Sequence, residues 1–411
     1  MPETNPVSSK LIIAAAGSGK TTSIVREALA KPQTEKVLIT TYTEANAESI
    51  KQKIIEENRF VPSNIIVKTW FSFLLQHGVK PYQGDANFST KDMWKTQISG
   101  CVMPDGNSSI RRFGQRILSL SEARPEFYFS GSKIYTDKLA KFAIRCNVNN
   151  QVIDRIYAIF KHIFIDEIQD FAGYDLDFLE LLIKSPINLV MVGDPRQATY
   201  STSNVRANSA YSGGKIENFV RAKRLSDHVI INTTSLNINY RCDAAICNFS
   251  NLLFPAPWPQ TRSVNKYTGE HVGVFLIKNS EVNTYLSRFT AVQLRWNKKV
   301  NVNFGAATYN LGEAKGLEFD RVMVIIDDSE AKGFMFSYDK LFGVKDLSDT
   351  DKRNMAEGRE TSIERTQRLF YVTCTRAKKS LAVVMYSNDP DKVKEQAISK
   401  GWFYDQEIKV I

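Results

Sequence analysis

The chain has 411 residues, 43% hydrophobic and 24% charged, a balance ordinary for a folded soluble protein that excludes a disordered or fibrous polypeptide. Fifty-four Lys and Arg stand against 44 Asp and Glu, a formal net charge of +10. That excess favours a polyanionic partner, because Lys and Arg gain by releasing the counterions condensed on nucleic acid. No uncharged run approaches membrane-spanning length, and the opening MPETNPVSSK lacks the apolar core of a signal peptide, so a cytoplasmic protein with no membrane partner is expected.

Taken in chain order, LIIAAA (11–16), VLITTY (37–42), NIIVKTW (64–70), HIFID (162–166) and INLVMVGD (187–194) read as buried strands. KTTSIVREALAK (20–31) and EANAESIKQKIIEEN (44–58) read as helices between them, the second with Ile50, Ile54 and Ile55 on one face. Apolar strands alternating with helices predict an α/β fold with a parallel sheet covered on both faces. Residues 74–154 break this pattern with mixed basic and aromatic stretches and are expected to form an inserted, mostly helical subdomain. The strand grammar restarts at HVIINTTSL (228–236) and continues through VGVFLI (272–277), FGAATYNL (304–311), RVMVIID (321–327) and SLAVVMYS (380–387), a second α/β sheet. The polar, basic RAKRLSDH (221–228) is the candidate linker. The expected domains are therefore 1–73 with 155–225, the insertion 74–154, and 226–411. Only the first carries a glycine-rich loop, so one nucleotide is expected between the two sheets. The five cysteines are scattered, with no CxxC pair, and predict reduced thiols rather than zinc or disulfides.

AAAGSGKTT is a strand, a glycine-rich turn and a helix start, the context a phosphate loop needs. Gly17, Ser18 and Gly19 would wrap backbone N–H groups around phosphates, Lys20 would reach the β- and γ-phosphates, and the Thr21 hydroxyl would bind Mg2+. Thr22, next in the same turn, is expected to join the nucleotide-binding set. HIFIDEIQD then delivers Asp166 and Glu167 at the carboxyl end of a strand, where open parallel sheets place their sites. Asp166 would hold the magnesium, and Glu167 would orient and deprotonate the attacking water. Gln197, in MVGDPRQATY, could contact the γ-phosphate and report its loss.

The ordered series AAAGSGKTT, TTYTEANA, VKTWFSF, FIDEIQD, VGDPRQATY, LNINYRC, GEAKGLEFDRV and RTQRLFYVTCTRAKK resembles the superfamily 1 helicases of the UvrD/Rep/PcrA type. The resemblance implies two RecA-like domains and an ATP- and Mg2+-dependent motor on single-stranded or tailed duplex DNA, moving 3′ to 5′. It implies that Arg241 and Arg376 are arginine fingers from the second sheet, so that loss of the γ-phosphate lets the two halves part. Tyr240 matches the adenine-stacking tyrosine and Glu318 the acid near the ribose. Tyr42, Thr69, Trp70, Phe71 and Tyr200 match positions that contact the DNA strand.

The departures are informative. The family's base-stacking tryptophan, two residues beyond Tyr200, is Thr202 here, and the arginine that often follows the phosphate-loop threonine is Thr22. No glutamine precedes Leu11, so the adenine-reading motif is not expected, and the short interval between Cys242 and Glu313 leaves no room for the large accessory domain. A second reading is therefore a DNA-gated ATPase switch that serves a separate nuclease, resembling helicase-like subunits of bacterial antiphage systems. A third is a signalling nucleotidase with no nucleic acid. PD (390–391) and EIK (407–409) spell a nuclease-like pattern, but so few residues remain that the segment is expected to complete the second sheet.

Overall fold

The computed structural model describes residues 9–84, 97–104, 110–113, 116–119, 127–199, 201–203, 205, 207–269, 271–295, 304–314, 316–327, 336–341, 347–386 and 389–399. The chain divides into two compact units. One is Met1–Ile12, Thr21–Gly193 and Tyr200–Asn232; the other is Ile13–Lys20, Asp194–Thr199 and Thr233–Ile411. The division runs through the glycine-rich loop, between Lys20 and Thr21.

The first unit is built on β1 (Ser9–Ile13), β2 (Val37–Thr41), β3 (Ile65–Thr69), β4 (His162–Asp166), β5 (Asn188–Gly193) and β6 (Val229–Asn232). They form a six-stranded sheet in the order β6-β1-β5-β4-β2-β3. The pairs β6/β1, β5/β4, β4/β2 and β2/β3 are parallel. Every residue of β2 is buried, as expected of a VLITT run covered on both faces. Helix α1 (Lys20–Leu29) follows β1, and α2 (Glu44–Asn58) follows β2. The Thr43 hydroxyl caps α2 by accepting from Asn46 N at 3.1 Å. Ala47, Ile50 and Ile54 line its buried face, whereas Ile55 is 39% exposed, one residue further round the helix.

β6 corrects the sequence reading: 228–236 looked like the start of the second sheet, yet Val229–Asn232 pairs with Ser9–Ile12. A short edge strand has no residue pattern that says which sheet it joins; its partner is decided by where the chain returns. Within 74–154, a π-helical turn (Leu74–Val79) leads into a three-stranded sheet of Gly100–Val102, Lys133–Tyr135 and Phe129–Ser130. The region also holds an antiparallel pair, Ile110–Phe113 with Arg116–Ser119, the helix α3 (Leu139–Cys146) and the start of α4 (Gln151–Ile159). His77 in the π-helical turn lies buried among Phe73 and Phe160, and burial together with Arg155 and Lys68 pushes its pKa down to about 4, so it is a neutral core residue. Helix α5 (Tyr174–Ile183) lies between β4 and β5 in the chain.

The second unit holds β7 (Ile238–Asp243), which pairs in parallel with β8 (Arg262–Asn265). Its main sheet contains β9 (Gly273–Lys278), β10 (Val292–Arg295), β11 (Thr308–Asn310), β12 (Phe319–Asp327) and β13 (Ala377–Tyr386), in the order β9-β13-β12-β10-β11. All the pairs along it are parallel. Successive residues of β12 and β13 go to opposite faces: Val322, Val324, Leu381 and Val383 join one core cluster, and Met323, Ile325, Ala382 and Val384 the other. Both faces are apolar because both are covered. Helices α6 (Ala244–Leu253) and α7 (Ser362–Cys374) pack into the first cluster through Ile246, Phe249 and Phe370. A reciprocal cap opens α7: Thr361 Oγ1 accepts from Glu364 N, and the Glu364 carboxylate accepts from Thr361 N. Pro390–Ser399 is a helix rather than a further strand, and the EIK at 407–409 lies outside the described residues.

Candidate nucleotide site and strand-binding residues

In the second unit the glycine-rich loop has a left-handed backbone at Gly17 (φ +70°) and Gly19 (φ +78°). A Cβ at Gly17 would lie 2.7 Å from Asn239 Oδ1 and 2.8 Å from Arg241 Cβ, so glycine is required there by close approach as well as by φ. Strand β7 causes that approach. Asn239 Nδ2 donates to Ala16 O at 3.1 Å, Tyr240 N donates to Gly17 O at 2.8 Å, and Asn239 Oδ1 accepts from Arg241 N and Cys242 N at 2.8 Å each. Inside the loop, Ser18 Oγ donates to Ala15 O at 2.8 Å and Lys20 Nζ to the same carbonyl at 3.4 Å. The Tyr240 ring lies beside Gly19 and is 60% exposed, an open aromatic face next to the loop.

Further side chains bring charge to this unit. Arg241 pairs through Nε with Glu318 at 2.5 Å and donates from Nη1 to Thr375 O at 3.3 Å. Arg376, just past α7 and 4% exposed, donates from Nη2 to Gln197 Oε1 at 3.0 Å and from Nη1 to Leu317 O at 3.5 Å. Gln197 in turn donates from Nε2 to Asp194 Oδ2 at 2.9 Å. Burial alone would raise the Asp194 carboxyl, but Arg196, Lys20 and its hydrogen bonds hold it below the usual carboxylate range. The sequence-predicted Gly17, Ser18, Gly19, Lys20, Gln197, Tyr240, Arg241, Glu318 and Arg376 thus all belong to one compact unit.

The other half of the predicted chemistry lies in the first unit. Thr21 Oγ1 donates to Asp166 Oδ2 at 2.9 Å, at the end of β4 where Asp166 is buried. A hydroxyl and a carboxylate oxygen in contact are the hard donors Mg2+ takes, so these two residues fit the metal. Thr21 and Asp166 would hold the ion, and the chemistry it would supply is positive charge to offset that of a bound triphosphate. Glu167 follows with a left-handed backbone (φ 59°), its N–H donating to Asp166 Oδ1 at 3.0 Å and its carboxylate accepting from Gln169 Nε2. Thr22 is half-buried in the first turn of α1.

The predicted strand-binding residues separate on inspection. Tyr42 and Phe71 are half-buried, with ring centroids 5.6 Å apart in an edge contact, and Tyr42 Oη donates to Ser201 O at 3.5 Å. Thr69 is buried, its hydroxyl accepting from Ser72 N at 3.3 Å and so capping the turn Trp70–Phe73. Trp70 is a correction: it is fully buried against Phe73, Phe171 and Phe178, and its Nε1 donates to Asp175 Oδ1 at 2.7 Å. An indole enclosed by aromatic rings and hydrogen-bonded at its edge is a core residue and offers no face to a base. Tyr200 lies outside the described residues. Thr202 is buried, accepting from Ala172 N at 2.9 Å, and its own N–H donates to Asp170 O at 2.9 Å; it is a strut.

The Trp70 partner carries two tests. Trp70→Ala is expected to cost about 3–5 kcal/mol of stability, read by chemical denaturation; a loss under about 1 kcal/mol would place the indole outside the core. Burial raises the Asp175 pKa to about 7, with Asp137 adding to the rise while the Trp70 N–H and the Thr202 hydroxyl oppose it. A carboxyl with a raised folded-state pKa takes up its proton on folding, so its contribution is full below the unfolded value and is lost as pH rises through about 7. Asp175→Asn is therefore expected to stabilise the protein relative to the native chain at about pH 8 more than at about pH 4. An equal difference at both pH values would refute the buried-carboxyl account.

Sequence reasoning missed four residues that hold the second unit's site: Asp194, Arg196, Asn239 and Tyr371. Asp194 and Arg196 stand inside VGDPRQATY, where an acid and a base two residues apart after a strand were a usable signal. Arg196 is 1% exposed; its Nε donates to Asp194 Oδ1 at 2.9 Å, its Nη1 to Pro259 O at 2.8 Å, and its guanidinium lies 5.0 Å from the Tyr371 ring centroid.

A glycine-rich loop of the phosphate-binding type, held by an arginine-bearing strand, is the arrangement of the P-loop proteins. Comparison with known proteins narrows the class. Residues 3–99 and 129–208 match the UvrD/REP helicase N-terminal domain, and residues 309–388 match the UvrD-like helicase C-terminal domain. The chain belongs to the UvrD/Rep-like superfamily 1 helicases. A relative, the RecBCD enzyme subunit RecB of Buchnera aphidicola subsp. Baizongia pistaciae (strain Bp), is 29% identical over 119 residues, 29% of this chain and 8% of that protein. Among solved structures, the Arterivirus nonstructural protein 10 helicase matches at a TM-score of 0.42 and 13% identity, over 94% of this chain and 62% of that one. Its complex with DNA matches at 0.43 and 12%, over 95% and 63%. The chain therefore spans less than two thirds of the length of these proteins. Among the described residues no helix is long and apolar enough to cross a membrane.

Proposed function

We propose that this chain is an ATP-dependent translocase on single-stranded DNA, running 3′ to 5′ and separating duplexes that carry a 3′ tail. The observation that carries the reading is the contact of Arg376 with Gln197 at 3.0 Å, in the same unit as the phosphate loop and Lys20. An arginine in contact with a glutamine amide can gain a fully charged partner when a γ-phosphate arrives, and hydrolysis removes that partner again. Arg241 rests on the Glu318 carboxylate, so an arriving γ-phosphate would compete with a charged partner already in place, and Tyr240 would stack on the base of the nucleotide. Lys20 holds the β- and γ-phosphates, Thr21 and Asp166 take the magnesium, and Glu167 orients and deprotonates water. Tyr42 and Phe71 are the aromatic pair proposed to meet the bases, with Thr69 holding the turn that presents Phe71.

One observation favours a second reading, a DNA-gated ATPase that serves a separate nuclease without processive unwinding. The position where relatives carry a base-stacking tryptophan is the buried strut Thr202, so one stacking platform is missing. The test is steady-state ATP hydrolysis with and without single-stranded DNA, followed by displacement assays on duplexes with 3′ or 5′ tails. Hydrolysis stimulated at least about tenfold by DNA and weakened by salt is expected. Hydrolysis indifferent to DNA would refute both readings, displacement from a 5′ tail alone would refute the polarity, and stimulation without displacement would favour the second reading.

A further inference from the structure

We propose that Tyr371 is a positioning residue for ATP hydrolysis, its hydroxyl tying the phosphate loop to the orientation of Gln197 and through it to Arg376. The inference rests on the ATPase reading above and goes beyond it by assigning a role to a residue that need not touch the nucleotide. Tyr371 lies on α7 and is 1% exposed, so its hydroxyl must find partners inside the protein. It accepts from Ala16 N, in the loop, at 3.4 Å and donates to Asp194 Oδ2 at 3.1 Å. The same Oδ2 accepts from Gln197 Nε2 at 2.9 Å, and Gln197 Oε1 accepts from Arg376 Nη2 at 3.0 Å.

The donor directions along this path admit one arrangement. A carboxylate only accepts, so Gln197 must present its NH2 to Asp194, which leaves its carbonyl oxygen for a guanidinium that only donates. Arg196 fixes the other oxygen of the same carboxylate by donating from Nε at 2.9 Å and from its backbone N at 3.1 Å. Asp194 is thus clamped at both oxygens, and Tyr371 is the clamp that also feels the loop. If a bound triphosphate shifts the Ala16 N–H, the Tyr371 hydroxyl gains or loses its donor, and the grip on Asp194 changes with it. Burial keeps the Tyr371 phenol protonated, so it remains a donor at every physiological pH.

Tyr371→Phe removes the hydroxyl and keeps the ring that packs on Phe254 at 5.3 Å. The experiment compares kcat and KM for ATP in the presence of single-stranded DNA for the native chain, Tyr371→Phe, Gln197→Ala and the double variant, with thermal melts as a folding control. We expect KM to change less than about twofold and kcat to fall about tenfold in Tyr371→Phe, the loss expected when a reacting-site group loses its single orientation. Because both residues act along one path, the double variant should be no slower than Gln197→Ala. Unchanged kcat in a folded Tyr371→Phe, or losses that multiply in the double variant, would overturn the positioning role while leaving the ATPase reading intact. A native chain inert toward ATP would overturn both.

Discussion

Arg376→Ala is expected to lower kcat for ATP hydrolysis by about 10³-fold or more, the range in which arginine fingers act, while nucleotide binding changes by less than about tenfold. Arg376 leaves α7 at its carboxyl end, is 4% exposed, and is held by the Gln197 and Leu317 oxygens at 3.0 and 3.5 Å. Charge building on a transferring phosphoryl group is a stronger partner for a guanidinium than a neutral carbonyl oxygen such as those of Gln197 and Leu317. The effect therefore falls on the transition state rather than on ground-state binding. Removing the side chain also leaves Gln197 Oε1 without this donor, a cost of about 1–3 kcal/mol that a thermal melt will report separately. Arg376→Lys retains the charge without the planar fork and should recover little of the rate. Turnover within about threefold of the native chain in a folded Arg376→Ala would remove this residue from the catalytic set.

Glu167→Gln is expected to reduce hydrolysis by about 10²–10⁴-fold while MgATP still binds, the loss expected when a general base is replaced by its isostere. Glu167 has a left-handed backbone at φ 59°, a conformation the residue keeps because its N–H donates to Asp166 Oδ1 at 3.0 Å. Glutamine has the same length and the same backbone, so the strand end carrying Asp166 is preserved. The amide can neither take a proton from water nor accept from Gln169 Nε2 with a full charge, and the variant should accumulate as a nucleotide-bound species. Binding of a fluorescent ATP analogue at native affinity, together with a lost phosphate-release signal, is the expected pair of results. If phosphate release persists at the native rate, another group is the base.

Much of the first sheet was readable because its strands are continuous runs of β-branched and aliphatic residues, which is what burial on both faces demands. VLITTY was read over 37–42 and is a strand over Val37–Thr41; HIFID is a strand over the residues read. The phosphate loop was equally legible, since Gly17 and Gly19 mark backbone conformations that other residues rarely adopt. Trp70 was misread because an aromatic residue at a strand end looks the same whether it faces solvent or the core. The deciding fact, an apolar wall of Phe73, Phe171 and Phe178, comes partly from residues about a hundred positions away. The same holds for Val229–Asn232, a short edge strand whose residues name no partner and which pairs with β1, beginning at Ser9.

By itself the sequence determined the local pattern: a glycine-rich loop of the phosphate-binding type, a Thr21 and an Asp166 suited to magnesium, and arginines at 241 and 376 in the family's order. Those properties depend on residue type and short spacing, which a chain carries before it folds. Only the tertiary structure decided that Asp194, Gln197, Tyr371 and Arg376 form one hydrogen-bonded path, because its links join residues 177 and 179 positions apart. Hydrogen bonds need donor and acceptor within about 3.5 Å, so which distant donors and acceptors meet is settled by packing and not by order along the chain.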